Sequence, residues 1–352
     1  MFSHSDNDHP SKVKAKQAKN HLLCPQGLKI PHVPGIPFRL FCVTYESGTH
    51  LPSWHGERNH YTGVGLVINA YLFVAVWKSK IFGVAFGRIC LSQCLADMAL
   101  CLLFFVFIGP ITIINKDIFD SYAGGRPGQF LNFCWYSCIL SHLLSSFNRL
   151  VCITLPLQYS KIFTKDLTTF LIITVWIIAF LLITPQFDSS CLMVFNDADY
   201  SFAFPGTKCG TIQADYVDFT LSVSVISAIT VVDILTSTKI YLITQHKPGE
   251  ISKAELRQFR FFFQTCAEEV VLLFCVLSFY KFSECFDSPW MKFFTTTWMW
   301  IFTHAIDGLI VLLFNKELRS KKLLKLDALK PKILFASKPS KVIPAIKITA
   351  ST

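Results

Sequence analysis

The chain has 352 residues, 52% of them hydrophobic and only 16% charged, with a formal net charge of +10. Soluble domains carry nearer a quarter charged residues, and several almost uncharged runs here reach the ~20 residues that cross a bilayer, so a soluble globular protein is excluded. The positive excess suits inner-leaflet loops, and no nucleic-acid partner is expected.

Residues 1–60 differ from the rest. They hold 7 of the 10 His and 7 Lys/Arg, with no span-length apolar run. That composition reads as an atypical, disordered N-terminal segment rather than a metal site or a signal peptide. The first span is Tyr61–Trp77, at the lower limit of length, as though the outer half of helix one were missing. The second is Leu91–Ile114, interrupted by Asp97. A sign-balanced loop at 115–129 leads to a third apolar run, Phe130 to Phe147, ending on Asn148-Arg149 and followed by Pro156-Leu157-Gln158-Tyr159. Arginine at the end of a span must face protein or reach the interface, and proline stops a regular helix.

The fourth span is Leu167–Phe187, with Trp176 near its middle. An acidic loop follows, with Cys191 and Cys209. The fifth span covers about Val217–Leu242 and includes Asp233. The sixth covers about Phe259–Phe279 with Glu268-Glu269 inside. The seventh covers about Met291–Phe314, with Trp298 and Trp300 near its outer end and His304 and Asp307 deeper. Alternate sides of these spans carry 21 and 5 Lys/Arg, which puts the C-terminus in the cytoplasm and the N-terminus outside. Of the 13 Cys, those in apolar runs read as small buried residues, and no zinc spacing is present. Leu318, Leu323, Leu326 and Leu329 among basic residues suit an amphipathic helix on the inner leaflet in the tail 315–352.

These motifs form a pattern. Arg149 followed by Pro-Leu-x-Tyr resembles the end of helix three in rhodopsin-like G-protein-coupled receptors. Gly-Leu-Val-Ile-Asn69, Leu-Ser-x-x-Leu-Ala-Asp97, Trp176, and Asp307-Gly-Leu-Ile-Val311 followed by Asn-Lys-Glu resemble the family's other signatures. Asn148-Arg149, Asp-Gly-Leu-Ile and Phe-Phe-Phe-Gln at 261–264 are similar to nematode serpentine chemoreceptors of class X. The resemblance covers about residues 61–325. It implies an all-α membrane protein, a seven-helix bundle over 61–314 with a short amphipathic helix 8. It also implies a chemosensory receptor in the plasma membrane, extending to the sensory cilium, with a heterotrimeric G protein and a small-molecule or peptide ligand as partners.

Residue by residue, the resemblance makes Asn148, Arg149, Pro156, Leu157, Tyr159, Asp307 and Val311 the coupling and switch positions. Asn69, Asp97, His304 and Asp307 become a polar core, with a possible sodium ion at Asp97 and Asp307 and no other cofactor. The chain departs from the pattern at Asn148, Gly308 and Val311. The family's loop cysteine pairs with the top of helix three, but that position here is Gly124, so Cys191–Cys209 is the expected disulfide and Cys285 the competing partner. The intramembrane acids Asp233, Glu268 and Glu269 also suit a proton-coupled secondary transporter. No inverted repeat or broken helix pair supports that alternative. No nucleophile, metal-protease or phosphate-loop motif points to an enzyme.

Overall fold

The computed structural model describes residues 54–79, 81–114, 118–119, 121–196, 198–246 and 252–319. Most of the atypical N-terminal segment and the expected tail helix lie outside the described residues. Seven long helices account for most of the rest. Helix α1 is Trp54–Lys78. Helix α2 is Val84–Leu103, prolonged by Phe104–Ile108 and Gly109–Ile114. Helix α3 is Tyr122–Thr154, α4 is Lys165–Ile183, and α5 is Lys208–His246. Helix α6 is Lys253–Leu277, prolonged by Ser278–Phe282, and α7 is Pro289–Phe314. Between α4 and α5 a short antiparallel hairpin, β1 (Val194–Asn196) and β2 (Ser201–Ala203), sets Phe195 opposite Phe202.

The helix starts follow from local sequence. Ser121, Thr164 and Thr207 accept the N–H of the third residue onward, at 3.0, 3.2 and 2.9 Å. Ser252 and Glu255 make a reciprocal capping box at α6. These caps explain why α3 and α6 begin before their apolar runs do. The polar stretch from Trp54 is helical too, so α1 has 25 residues and its outer half is present as backbone. The apolar run gave no sign of that extension.

Five helices are long and apolar enough to cross a membrane, and Thr62–Lys78 is a shorter apolar helix. Helix α3 is the exception by composition because it packs against α2, α4, α5 and α6 at once. Gln129, Asn132, Ser137, Ser141, His142, Ser145, Ser146, Asn148 and Arg149 along it are all buried. Helix α4 shows the opposite. Its buried residues are Thr168, Val175, Ala179 and Ile183, while Phe170, Ile173, Ile177 and Leu181 are exposed as a lipid-facing helix requires.

Small residues bring α1 against α7, with Gly65 against Ala305 and Gly308 against the side chain of Asn69. Four helices carry π-helical turns, at Phe104–Ile108, Gln213–Thr220, Ser278–Phe282 and Phe294–Trp298. All four lie toward the hairpin end of the bundle. At the opposite end α7 runs into a single 3₁₀ turn, Lys316–Arg319, tied down where Tyr71 Oη donates to the Leu318 carbonyl at 2.7 Å. The remainder of the expected helix 8 lies outside the described residues.

Candidate functional site

At the hairpin end, α3, α5, α6, α7 and the loop before β1 enclose a narrow cavity lined by Asn132, Trp135, Met193, Asp218, Phe279, Tyr280 and Trp300, among others. About 20 Å³ is open to the centre of a water-sized sphere, roughly one water's worth. The π turns at Gln213–Thr220 and Ser278–Phe282 carry Asp218, Phe279 and Tyr280, so the wide turns form part of its wall. Tyr280 Oη donates to Asp218 Oδ2 at 2.5 Å, and Trp135 Nε1 to Ser222 Oγ at 3.1 Å. Asn132 Nδ2 and Trp300 Nε1 are buried donors without a partner among the described residues.

The hairpin forms the lid. Met193, Phe195 and Phe202 are buried in the bundle's main apolar cluster. Gly128 of α3 lies directly under the Met193 carbonyl, and Gly124 under that of Ile118, where a Cβ would not fit. The approach to Ile118 gives a physical reason for glycine at position 124, where the resemblance leads one to expect cysteine. The loop is instead closed on itself by a Cys191–Cys209 disulfide, with Cα atoms 5.0 Å apart. Asp188, on the same loop, is held below the usual carboxylate range by the backbone N–H and hydroxyl of Ser190.

Beneath Trp135 and Trp300 lies a buried polar column. His304 Nδ1 is 2.6 Å from Asp97 Oδ1, and Cys138 Sγ is 3.6 Å from the same oxygen. Asn69 Nδ2 donates to the carbonyls of His304 (2.9 Å) and Gly65 (3.1 Å), joining α1 to α7. Asp307 neighbours Asp97 and lies 3.8 Å from His142 Nε2, whose Nδ1 is 3.9 Å from Glu268 Oε2. Gln264 Nε2 donates to Glu268 Oε1 at 3.0 Å, and Asn315 Nδ2 donates to Gln264 Oε1 at 2.6 Å. On the other flank, Ser146 Oγ donates to Asp233 Oδ1 at 2.6 Å and to Glu269 Oε1 at 3.3 Å. Cys266 Sγ donates to Asp233 Oδ2 at 3.2 Å.

The sodium expectation meets unsuitable donors. One Asp97 oxygen is engaged by a ring nitrogen, and the nearest α3 group is a thiol. Hard cations take oxygen ligands, whereas nitrogen and sulfur suit softer metals. The Asp307 carboxyl and the buried oxygens Asp97 Oδ2 and Asn69 Oδ1 lie nearby, so the donor set is mixed rather than the all-oxygen shell that sodium prefers.

At the far end, Arg149 is only 2% exposed. Its Nη2 donates to Ser145 Oγ at 2.6 Å, and its guanidinium carbon lies 5.0 Å from the Phe86 ring centroid. Among the described residues no carboxylate forms an ion pair with it. Glu268, Glu269 and Asp233 act on it electrostatically from further away. Asn148 instead shares hydrogen bonds of 3.2 and 3.3 Å with Tyr159 Oη, which ties the following loop to α3. Pro156 and Leu157 on that loop are exposed, Leu157 by 91%. Val311 is buried in an apolar cluster with Leu72, Phe86 and Phe261. Having no hydroxyl, it makes no polar contact there, and the α6–α7 link falls to Asn315 and Gln264. Arg260 and Glu317 pair at 3.0 Å. Partial burial opposes the charge on Glu317, yet its own backbone N–H and the Arg260 guanidinium hold its carboxyl below the usual range.

The structure therefore brings Asn69, Asp97, His304 and Asp307 together, and separately gathers Asp233 and Glu269. Sequence reasoning missed His142, Gln264, Asn315 and the serines of α3. The one available signal was polar residues recurring every three or four positions along α3, read there only as an apolar run.

The family model for serpentine type seven-transmembrane GPCR chemoreceptors, Srx, matches residues 61–315. "Serpentine receptor class X 45" of Caenorhabditis elegans is 25% identical over 284 residues, covering 73% of this chain and 77% of that one. "Serpentine receptor class X-43" of the same organism is 25% identical over 272 residues, covering 72% and 81%. A family match across most of the chain, on a bundle of membrane-length helices, means that this chain belongs to the serpentine class X chemoreceptors, a family of membrane receptors and not of enzymes.

Proposed function

We propose that the receptor takes a small-molecule or peptide ligand into the hairpin-end cavity and passes the event down the polar column to a heterotrimeric G protein at the Arg149 end. In this reading the hairpin end faces outside and the Arg149 end faces the cytoplasm. The chain sits in the plasma membrane and reaches the sensory cilium, with 61–314 as the receptor domain and 315–352 as a basic tail.

One observation carries the reading. A chain of contacts links polar side chains of α1, α2, α3, α6 and α7 beneath Trp135 and Trp300, and the Ser146–Asp233–Glu269 group and the Ser145–Arg149 pair are buried further along α3. Among the described residues His142 has no hydrogen-bond partner on either ring nitrogen, and neither does His304 Nε2. Buried groups left unsatisfied in one packing favour a second packing that satisfies them. A ligand shifts that balance by its differential affinity for the two states. Separation of α6 from Arg149 then exposes Asn148, Arg149 and Tyr159 beside the already exposed Pro156 and Leu157, which completes the coupling surface.

The test is second-messenger output in a heterologous cell expressing the receptor, screened against a small-molecule library with and without G protein. Ligand-dependent output that needs G protein supports the reading. The same buried acids supply the second reading, a proton-coupled transporter. Ligand-driven proton or solute flux without G protein would favour it.

A further inference from the structure

A second cavity opens beside Arg149, with about 170 Å³ open to water-sized spheres, many times the space at the hairpin end. Gly83, Val84, Asn148, Arg149, Tyr159 and Arg257 are among the residues lining it, and no acidic side chain is. The buried acids that act on Arg149 do not reach its wall.

Three features point to one ligand chemistry. Arg149 is buried, yet among the described residues its Nε and Nη1 have no hydrogen-bond partner. Unsatisfied donors on a buried cation are costly. The N-terminus of α2 opens on the same space with Gly83 as N-cap and no side-chain cap. Its first N–H groups therefore receive no cap from the N-cap side chain and carry the positive end of the helix. Gly83 has φ 69°, a conformation that glycine adopts readily, and a Cβ there would meet nothing within 4 Å. Glycine thus permits this uncapped start and leaves the approach clear. Arg257, exposed on α6, adds the second cation.

We propose that this cavity binds a phosphate group, held between Arg149, Arg257 and the first turn of α2. Donors converge from three helices, which suits a group with several acceptor oxygens and up to two negative charges. The phosphate comes either from the headgroup of an inner-leaflet lipid or from the cytosol, and the chemistry at the site is the same. Binding ties α6 to α2 and α3. That consequence rests on the reading above, in which α6 must leave Arg149 for coupling, so a bound phosphate holds the receptor in its uncoupled packing. The binding itself needs no G protein.

The experiment uses the purified full-length receptor. Thermal unfolding is followed against inorganic phosphate, with chloride at matched ionic strength. A second arm uses nanodiscs containing phosphatidylinositol bisphosphate, or phosphatidylserine at equal charge. The expected result is a rise in midpoint with inorganic phosphate or with the bisphosphate lipid, which also identifies the source. Arg257→Ala is expected to weaken the response about tenfold, the scale of losing one charge-assisted contact, while keeping its anion-free midpoint. Arg149→Gln, read against its own anion-free midpoint, is expected to lose the response altogether, and a full response would overturn the site. No shift in either arm, equal shifts in Arg257→Ala, or an equal effect of phosphatidylserine would overturn the site. Phosphate binding in a receptor that couples to no G protein would sink the signalling reading and leave the site standing.

Discussion

His304 Nδ1 sits 2.6 Å from Asp97 Oδ1, with both residues shut away from solvent, so a single proton-sharing contact ties α7 to α2 directly beneath the cavity floor. Breaking it from the two sides has unequal consequences. His304→Leu leaves the Asp97 carboxyl buried without its main partner and is expected to cost about 3 kcal/mol. Asp97→Asn keeps a neutral acceptor for the ring and is expected to cost about 1 kcal/mol. Thermal unfolding in detergent and surface expression in parallel give the comparison; equal losses would refute the assignment.

Arg149→Ala is expected to abolish coupling and also to lower stability by about 1–3 kcal/mol, because its hydrogen bond to Ser145 and its contact with the Phe86 ring are lost, and with them the field its charge exerts on the more distant Glu268, Glu269 and Asp233. A neutral Asn148 beside the arginine suggests a negligible folding cost, but the acids come from α5 and α6 instead. The double variant Arg149→Ala with Glu269→Gln is expected to recover surface level without recovering coupling. Recovery of both would mean that the arginine is only an interfacial anchor.

Leu157 is 91% exposed and makes no contribution to the core. Leu157→Asp is expected to leave surface expression within about twofold and to lower G-protein activation at least ~tenfold, as loss of an exposed apolar anchor does at an interface. Unchanged activation at normal expression would remove the loop from the coupling surface.

The Cys191–Cys209 bond closes a segment of 18-residue separation. In the chain-entropy account a loop of that order is worth about 3 kcal/mol, so Cys191→Ser is expected to lower the unfolding midpoint and raise protease sensitivity in the hairpin loop. Non-reducing peptide mapping checks the pairing itself, and a peptide joining Cys209 to Cys285 or Cys134 would contradict it.

Deleting residues 1–50 is expected to leave surface expression within about twofold, since their composition is poor in core-forming apolar runs and chain ends commonly tolerate truncation. Deleting 1–60 removes the first seven residues of α1, which begins at Trp54, and is expected to reduce expression further. Identical effects of the two deletions would show that the polar start of α1 is not a structural element.

Hydropathy alone located all seven spans, because a lipid-facing helix such as α4 must be apolar over most of its surface. It fell short at the starts of α1, α2, α3, α5 and α6, which lie six to nine residues before their apolar runs, and its signal was weakest where protein replaces lipid. Helix α3 is buried among four neighbours, so its serines, His142 and Asn148 face partners rather than acyl chains and dilute the apolar signal. The start of α1 escaped for a related reason, its first turns being polar. The polar core was half legible: Asn69, Asp97, His304 and Asp307 share a depth that can be counted along each helix. That Gln264 and Asn315 meet at 2.6 Å could not be counted, since it depends on the relative rotation of α6 and α7.

That rotation returns to the four wide turns at Phe104–Ile108, Gln213–Thr220, Ser278–Phe282 and Phe294–Trp298. A π turn stores a residue beyond what an α-helix would use, so the two halves of such a helix are offset by roughly 100°, the angle of one residue. Adding or removing one residue near a wide turn is absorbed there, and the offset is not transmitted to the Arg149 half. Each such helix behaves as a shaft with a slip joint near one end. The ligand-facing half is free to be re-cut by a residue in length and re-aimed in direction, while the transmission below stays in phase.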